Sequence, residues 1–105
     1  MRMELRGKQK RFLRSNANHL QPIFQIGKGG LNKEMINQMN EALEKKELIK
    51  ISLLQNTNEI TEDVAQTLEA SINCNVVQII GRVLVLFKPS TKEKYQNLSR
   101  KVSSL

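Results

Sequence analysis

The chain has 105 residues, of which 39% are hydrophobic and 26% charged; this predicts one folded domain with one core and excludes a wholly disordered chain. No run approaches the roughly 20 apolar residues of a membrane-spanning helix, and no apolar stretch follows the basic N-terminus as in a secretory signal. The lone cysteine, Cys74, has no internal disulfide partner, so we expect a protein of the reducing cytoplasm.

The formal net charge of +7 is unevenly distributed along the chain. Residues 1–20 hold six cations and one acid, residues 31–71 hold four cations and eight acids, and residues 82–105 hold six cations and one acid. If the two ends of the chain fold onto one side, they form a positive face for a polyanion while the acidic middle faces elsewhere.

Residues 8–20 predict the first helix, because apolar side chains recur on one stripe with cations over most of the remaining surface. Pro22 prevents its continuation and leads into a short strand at residues 22–26. Gly27, Lys28, Gly29 and Gly30 then form a turn before the next element.

Residues 31–46 predict the second helix, with Asn32 as its N-cap and two lysines at its C-terminus. Residues 48–54 alternate between apolar and polar side chains and predict the second strand. A polar break leads to a third helix over residues 60–72, for which Asn58 or Thr61 is the candidate cap.

Two β-branched, apolar runs at residues 76–80 and 83–87 predict an antiparallel pair joined by a tight Gly81-Arg82 turn. Since both runs are apolar on both faces, we expect an element such as the first helix or the C-terminal segment to cover part of the second face of the sheet. Residues 92–105 are mostly polar and fit either a frayed helix or a tail. The element order α-β-α-β-α-β-β predicts an α/β fold with a four-stranded mixed sheet.

The glycine-rich turn at residues 27–30 precedes a helix, where exposed backbone N–H groups and the helix dipole favour a phosphate oxygen. Many proteins use such a turn only to reverse the chain, so the turn alone decides little. A Walker loop needs Ser or Thr after its lysine, and a dinucleotide fingerprint needs a later glycine; this sequence has neither. A Gly-x-x-Gly loop is typical of RNA-binding KH modules, in which it clamps the sugar-phosphate backbone.

Other chemically capable residues favour structural interpretations. His19 lacks further ligands at metal-binding spacing, and Cys74 lacks a neighbouring base. Glu41, Glu44 and Glu62 fit a solvated helix face. The three phenylalanines lie on apolar stripes, so recognition through phosphates and RNA shape is favoured over base stacking. We therefore expect no enzyme activity, metal, cofactor or small-molecule substrate.

Three segments together carry a family resemblance: LRGKQKRFLR at residues 5–14, IGKGGL at 26–31 and QIIGRVLVLFKPS at 78–90. In order and spacing they are similar to the CRM-domain family, in particular its stand-alone bacterial YhbY-type members. The resemblance covers about residues 2–90 and divides the chain into a CRM-type domain at 1–90 and a C-terminal extension, tail or short helix, at 91–105.

The resemblance implies a fold similar to the C-terminal domain of bacterial translation initiation factor three, with helices packed mainly on one face of the sheet. It also implies RNA binding, with precursors of the large ribosomal subunit as the partner. Carried over by position, the RNA-binding residues are those of the glycine loop, the first helix, the hairpin and the end of the last strand: Gly27, Lys28, Gly29, Gly30, Lys8, Lys10, Arg11, Arg14, Arg82 and Lys88.

We therefore expect a cytoplasmic, monomeric RNA-binding protein that docks on structured ribosomal RNA and assists large-subunit assembly. The main alternative is a protein-interaction module that presents its basic face to an acidic partner. A nucleotide-hydrolysing or nucleic-acid-modifying enzyme is disfavoured by the missing Walker residues and acid-base pair. A membrane-surface helix at residues 2–20 is disfavoured by its thin apolar stripe.

Overall fold

The structure is a computed structural model that describes residues 3–105. Arg2, one of the N-terminal cations counted above, lies outside the described residues. The helices are α1 Gly7–Ala17, α2 Lys33–Lys46, α3 Thr61–Ile72 and α4 Asn97–Ser103. The strands are β1 Pro22–Ile26, β2 Leu48–Leu53, β3 Asn75–Ile80 and β4 Val83–Phe87, and a 3₁₀ turn, Glu93–Tyr95, precedes α4.

The four strands form one mixed sheet in the order β1-β2-β4-β3. β1 and β2 are parallel, and β4 pairs antiparallel with both β2 and β3. The β1-α2-β2 unit is the crossover that a parallel pair requires, and Gly81 has the positive φ of 56° expected in the β3-β4 hairpin. The predicted mixed α/β sheet and element order are confirmed.

One face of the sheet, here called face A, packs against α2 and α3. Its core includes Ile51 and Leu84 from the central strands together with Met39, Leu43 and Leu68 from the helices, all buried. Cys74 belongs to the same cluster and is fully buried. Alternation along each strand sends every second side chain to this face, which is why β2 reads as an alternating pattern.

The opposite face, face B, has its own core, which corrects the expectation of helices mainly on one face. Val85 and Phe87 of β4 alternate with the residues that face A buries, and they pack with Leu13 of α1 and Val102 of α4. Helices therefore pack on both faces, covering face A and part of face B, because β4 is apolar on both sides. The expectation that the first helix or the C-terminal segment covers part of this second face is confirmed.

The N-cap of α2 is the residue predicted from the sequence, whereas the N-cap of α3 is a different residue. The Asn32 side chain accepts a hydrogen bond from the Met35 N–H at 2.9 Å, as its N-cap position predicts. Neither Asn58 nor Thr61 caps α3. Its N-cap is Ile60, which has no side-chain oxygen, and Thr61 is the first helical residue.

The C-terminal extension forms the short helix α4 and is held to the end of α2 by a buried carboxylate. Glu47, 1% exposed, has a left-handed backbone with φ of 64°. Its side chain accepts hydrogen bonds from the N–H groups of Ser90, Leu98 and Ser99 at 2.8, 3.1 and 3.0 Å. Residues 90–99 are thereby fixed against α2.

Glu44, one turn earlier in α2, holds the same segment from outside. Its carboxylate accepts hydrogen bonds from the Thr91 N–H at 2.7 Å and from the Ser90 and Thr91 hydroxyls. The Thr91 hydroxyl bond is the main reason that the pKa of Glu44 lies below its ordinary value of 4.5, against a smaller opposing effect of burial. Glu44 therefore lies on a partly exposed helix face, as predicted, and from there it also holds residues 90 and 91.

Candidate nucleic-acid interface

The predicted site residues divide between the two ends of the sheet. We call the end where β1 and β2 finish and the β3-β4 hairpin turns the loop end, and the other the tail end. The Gly27–Gly30 loop leaves the sheet at the loop end, directly after Ile26. Strand pairing puts Ile26, Leu53, Val83 and Ile80 at this end.

The loop itself is a tight turn closed by the Gly30 N–H, which donates to the Gly27 carbonyl at 3.0 Å. Gly30 has a φ of 70°, and a Cβ built there would lie 2.9 Å from a carboxylate oxygen of Glu59. A Cβ on Gly29 would meet nothing within 4 Å. Gly30 is therefore required by the fold, whereas Gly29 leaves an open approach to the backbone.

Hydrogen bonding within the loop end leaves two amides open. The Leu31 N–H donates to Glu59 at 2.7 Å, and the Gly30 N–H closes the turn. Among the described residues, the N–H groups of Lys28 and Gly29 have no hydrogen-bond partner. Two adjacent exposed amides beside a lysine form a suitable contact for one phosphate group.

Arg82 of the hairpin is fixed beside this loop. Its Nε donates to the Leu53 carbonyl at 3.1 Å, and a terminal nitrogen donates to the Leu54 carbonyl at 2.7 Å. The Leu54 N–H in turn donates to the Ile26 carbonyl at 2.9 Å. The two Arg82 bonds use two of the five N–H donors of a guanidinium, so this cation is oriented yet able to contact an anion.

The first helix crosses face B near the tail end, so its cations are separate from the loop. Lys8, Lys10, Arg11 and Arg14 are all exposed, while Leu13 and Ala17 face the core. Arg14 Nε donates to the Val77 carbonyl of β3 at 2.9 Å. This bond directs Arg14 towards β3, the strand that runs to the hairpin and Arg82, five residues or roughly 17 Å further along.

Lys88 is the one predicted site residue that points elsewhere. It follows β4 at the tail end, five residues or roughly 17 Å from Val83, and its Nζ donates to the Asn40 side chain of α2 at 2.8 Å. The structure therefore brings the loop together with Arg82 and places the α1 cations across face B, but it turns Lys88 towards face A.

The sheet also separates the charges of the helices. α1 and α4, which form the face B core, carry six cations and no acid. α2 and α3, on face A, carry three cations and six acids. The polarity along the sequence thus becomes a polarity across the sheet, and face B is the positive side.

Sequence reasoning missed Glu59, the acid beneath the loop. It lies in the polar segment before α3, 28 residues after the Leu31 that it contacts, and no local pattern marks such a pair. His19 is exposed, as predicted. Within the described residues, no group of three or more His, Cys, Asp or Glu side chains could hold a metal ion. No helix in residues 3–105 has the length and apolar character needed to cross a membrane.

Comparison with known proteins assigns the fold and its loop to one family. The CRS1 / YhbY (CRM) domain matches residues 5–88. The probable RNA-binding protein YqeI of Bacillus subtilis is 57% identical over 90 residues, covering 86% of this chain and 94% of that protein. An RNA-binding protein of Haemophilus influenzae is 35% identical over 89 residues, covering 85% and 90%.

A solved structure agrees with this assignment. The solution structure of a hypothetical protein of Staphylococcus aureus, described as a candidate RNA-binding protein, superposes with a TM-score of 0.71. It is 46% identical and covers 86% of this chain and 94% of that one. The resemblance seen in the three sequence segments is confirmed, and the chain belongs to the CRS1/YhbY (CRM) domain family.

Proposed function

We propose that this protein binds RNA through the loop end and face B. The observation that carries the proposal is the pair of amides at Lys28 and Gly29, which have no hydrogen-bond partner in residues 3–105, beside the oriented guanidinium of Arg82. Relatives that match most of the chain are named as RNA-binding proteins, which supports the same ligand class here.

In this proposal the loop and the helix have different tasks. One phosphate accepts hydrogen bonds from the Lys28 and Gly29 amides, and Lys28 and Arg82 supply charge. Lys8, Lys10, Arg11 and Arg14 attract the backbone further along face B, with little dependence on sequence. Lys88 is left out because its ammonium group is directed to Asn40.

The finer part of the proposal is the target. We propose that the RNA is structured ribosomal RNA in a precursor of the large subunit, bound by a cytoplasmic monomer that assists assembly without catalysis. This target rests on the family resemblance. Sedimentation of tagged protein with ribosomal particles, followed by sequencing of crosslinked RNA, tests it directly; recovery with mature small subunits alone would contradict it.

RNA binding is tested by placing acids in the loop. The double substitution Lys28→Asp and Gly29→Asp alters exposed positions, so we expect the fold to persist while affinity falls at least about tenfold, because one phosphate contact becomes a repulsion. Filter binding at moderate salt measures affinity, and circular dichroism checks the fold.

The matched control is Gln38→Asp with Lys45→Asp, two exposed positions of α2 that produce the same change in net charge. Equal losses for the loop variant and this control would mean that net charge alone governs binding. If an acidic protein were the true partner, RNA protection by the purified protein would be absent while an acidic peptide bound tightly.

A further inference from the structure

Among residues 3–105, no helix covers the half of face B nearest the loop end, where Ile80 is exposed. A row of residues in register crosses all four strands there, since Gln25 pairs with Ser52, Ser52 with Val83, and Val83 with Ile80. Directly paired residues point to the same face. The neighbouring Leu84 belongs to the face A core, so Val83 and the rest of this row point to face B.

The row is accessible and chemically mixed. Ile80 is 54% exposed, Gln25 is exposed, and Ser52 and Val83 are half-buried. One step towards α1, a second row contains the half-buried Lys50 and Gln78, on either side of the buried Val85. We call Gln25, Ser52, Val83 and Ile80 of the first row, together with Gln78 of the second, the open row; it offers two amides and a hydroxyl beside aliphatic surface.

Cations border the open row on both sides, and it contains no acid. Gly27 and Lys28 follow Gln25 by two and three residues, and Arg82 follows Ile80 by two. On the other side lies Arg14, bonded to Val77, the residue before Gln78. The acids of α2 and α3 lie behind the sheet, on face A.

These features suit the bases of a single strand better than the backbone of a duplex. Amide and hydroxyl side chains can both donate hydrogen bonds to base edges and accept them, whereas phosphate oxygens only accept. Four strands span roughly 14 Å, comparable with the sheet on which other four-stranded RNA-binding modules lay about two or three bases. Phe12, Phe24 and Phe87 pack with the two cores, so the open row presents aliphatic rather than aromatic surface.

We propose that the open row is a base-reading site for unpaired nucleotides whose phosphates are held by the loop. The inference rests on the proposed RNA binding and goes beyond it, because it makes the ligand single-stranded at this point and makes recognition depend on base identity. Gln25, Ser52 and Gln78 hydrogen-bond base edges, while Ile80 and Val83 pack against a base face.

The test uses fluorescence anisotropy with labelled 12-nucleotide strands of A, C or U, and a mixed-sequence 12-mer alone or annealed to its complement. We expect wild-type protein to bind the mixed-sequence single strand more tightly than its duplex. We also expect it to bind the three homopolymers with different affinities, and we call the order of those affinities the ranking. The triple variant Gln25→Ala, Ser52→Ala, Gln78→Ala should lose about tenfold in affinity for the preferred strand and most of the ranking.

Salt dependence separates base reading from phosphate binding. The triple variant should keep the wild-type slope of log affinity against log salt, because it removes no phosphate contact. Lys28→Ala should lower that slope by about 1 and leave the ranking unchanged. A change of slope in the triple variant with an unchanged ranking would overturn the base-reading role.

A single substitution guards against misfolding of the triple variant. Gln25→Glu on the open row and Gln38→Glu on α2 change the same residue type at two exposed positions. We expect Gln25→Glu to weaken single-strand binding several-fold more than Gln38→Glu. Equal effects, or equal wild-type affinity for duplex and single strand, would overturn the inference while leaving RNA binding intact; no wild-type binding to any RNA would refute both proposals.

Discussion

At both ends of the sheet a buried or half-buried carboxylate accepts hydrogen bonds from backbone N–H groups, but the two ends differ in how many N–H groups are satisfied in this way. At the tail end, the Glu47 carboxylate accepts three backbone N–H groups. At the loop end, Glu59 accepts the Leu31 N–H, while the neighbouring amides of Lys28 and Gly29 have no partner within residues 3–105.

The difference indicates which end is structural and which is available to a ligand. A carboxylate of the chain itself already satisfies the amides at the tail end, so an external anion has little to gain there. The loop end keeps open amides next to Lys28 and Arg82, and an external phosphate can bind where no internal carboxylate does. Substitutions at the two ends should therefore affect different properties.

The largest effect on stability is expected from Glu47→Gly. The substitution suits the left-handed backbone but removes the acceptor of three N–H groups, so the free energy of unfolding should fall by about 3 kcal/mol or more. Asn73→Gly is the matched control, because Asn73 is also left-handed, with φ of 56° at the end of α3. It should change stability by less than about 1 kcal/mol. Urea unfolding measures both, and similar values would mean that the buried carboxylate contributes little.

A smaller effect is expected from Gly30→Ala in the loop. A methyl group at φ of 70° and 2.9 Å from the Glu59 carboxylate should cost about 1–2 kcal/mol of unfolding free energy.

The matched variant Gly29→Ala adds its methyl group in open space, so its free energy of unfolding should stay within about 0.5 kcal/mol of wild type. It should nevertheless weaken RNA binding, because its methyl lies on the open side of the loop. Thermal unfolding and filter binding check this pair; destabilisation by Gly29→Ala would show that the loop is closed rather than open.

The smallest effect is expected at Thr91, outside the buried tail end. The Glu44 pKa is lowered in the folded state, so its contribution to stability is present above the unfolded-state pKa and disappears as pH falls through the folded-state pKa. Thr91→Val should cost less than about 1 kcal/mol at neutral pH, because the pair is exposed, and the cost should shrink on acidification towards pH 3. Thr67→Val, at an exposed position of α3, is the control and should show no such pH dependence in urea unfolding. A Thr91→Val cost that stays constant with pH would contradict the dependence of stability on Glu44 ionisation.

The sequence predicted the elements well where the signal was local. Strand β4 was predicted at its observed bounds and the start of β1 at Pro22, because proline, glycine and β-branched apolar runs are read from neighbouring residues. The Asn32 cap and the Gly81 turn were predicted for the same reason.

What the sequence did not reveal depends on long-range contacts. Glu47 meets Leu98 and Ser99 across 51 and 52 residues, and neither partner carries a recognisable signal for a carboxylate. The separation of Lys88 from the loop could not be foreseen either, because it depends on which end of β4 lies beside Gly27. The open row appeared only when strand order and register were known.

The contact of Arg14 with β3 has a consequence for self-association. β3 is an edge strand of mostly apolar residues, the kind of edge to which a second chain can add. Arg14 donates a hydrogen bond to the Val77 carbonyl, and the Glu69 carboxylate accepts one from the Val76 N–H. Both bonds lie beside a register shift between Val76 and Gln78. These side chains block strand addition at that edge, so an Arg14 variant made to weaken RNA binding should also be examined for aggregation.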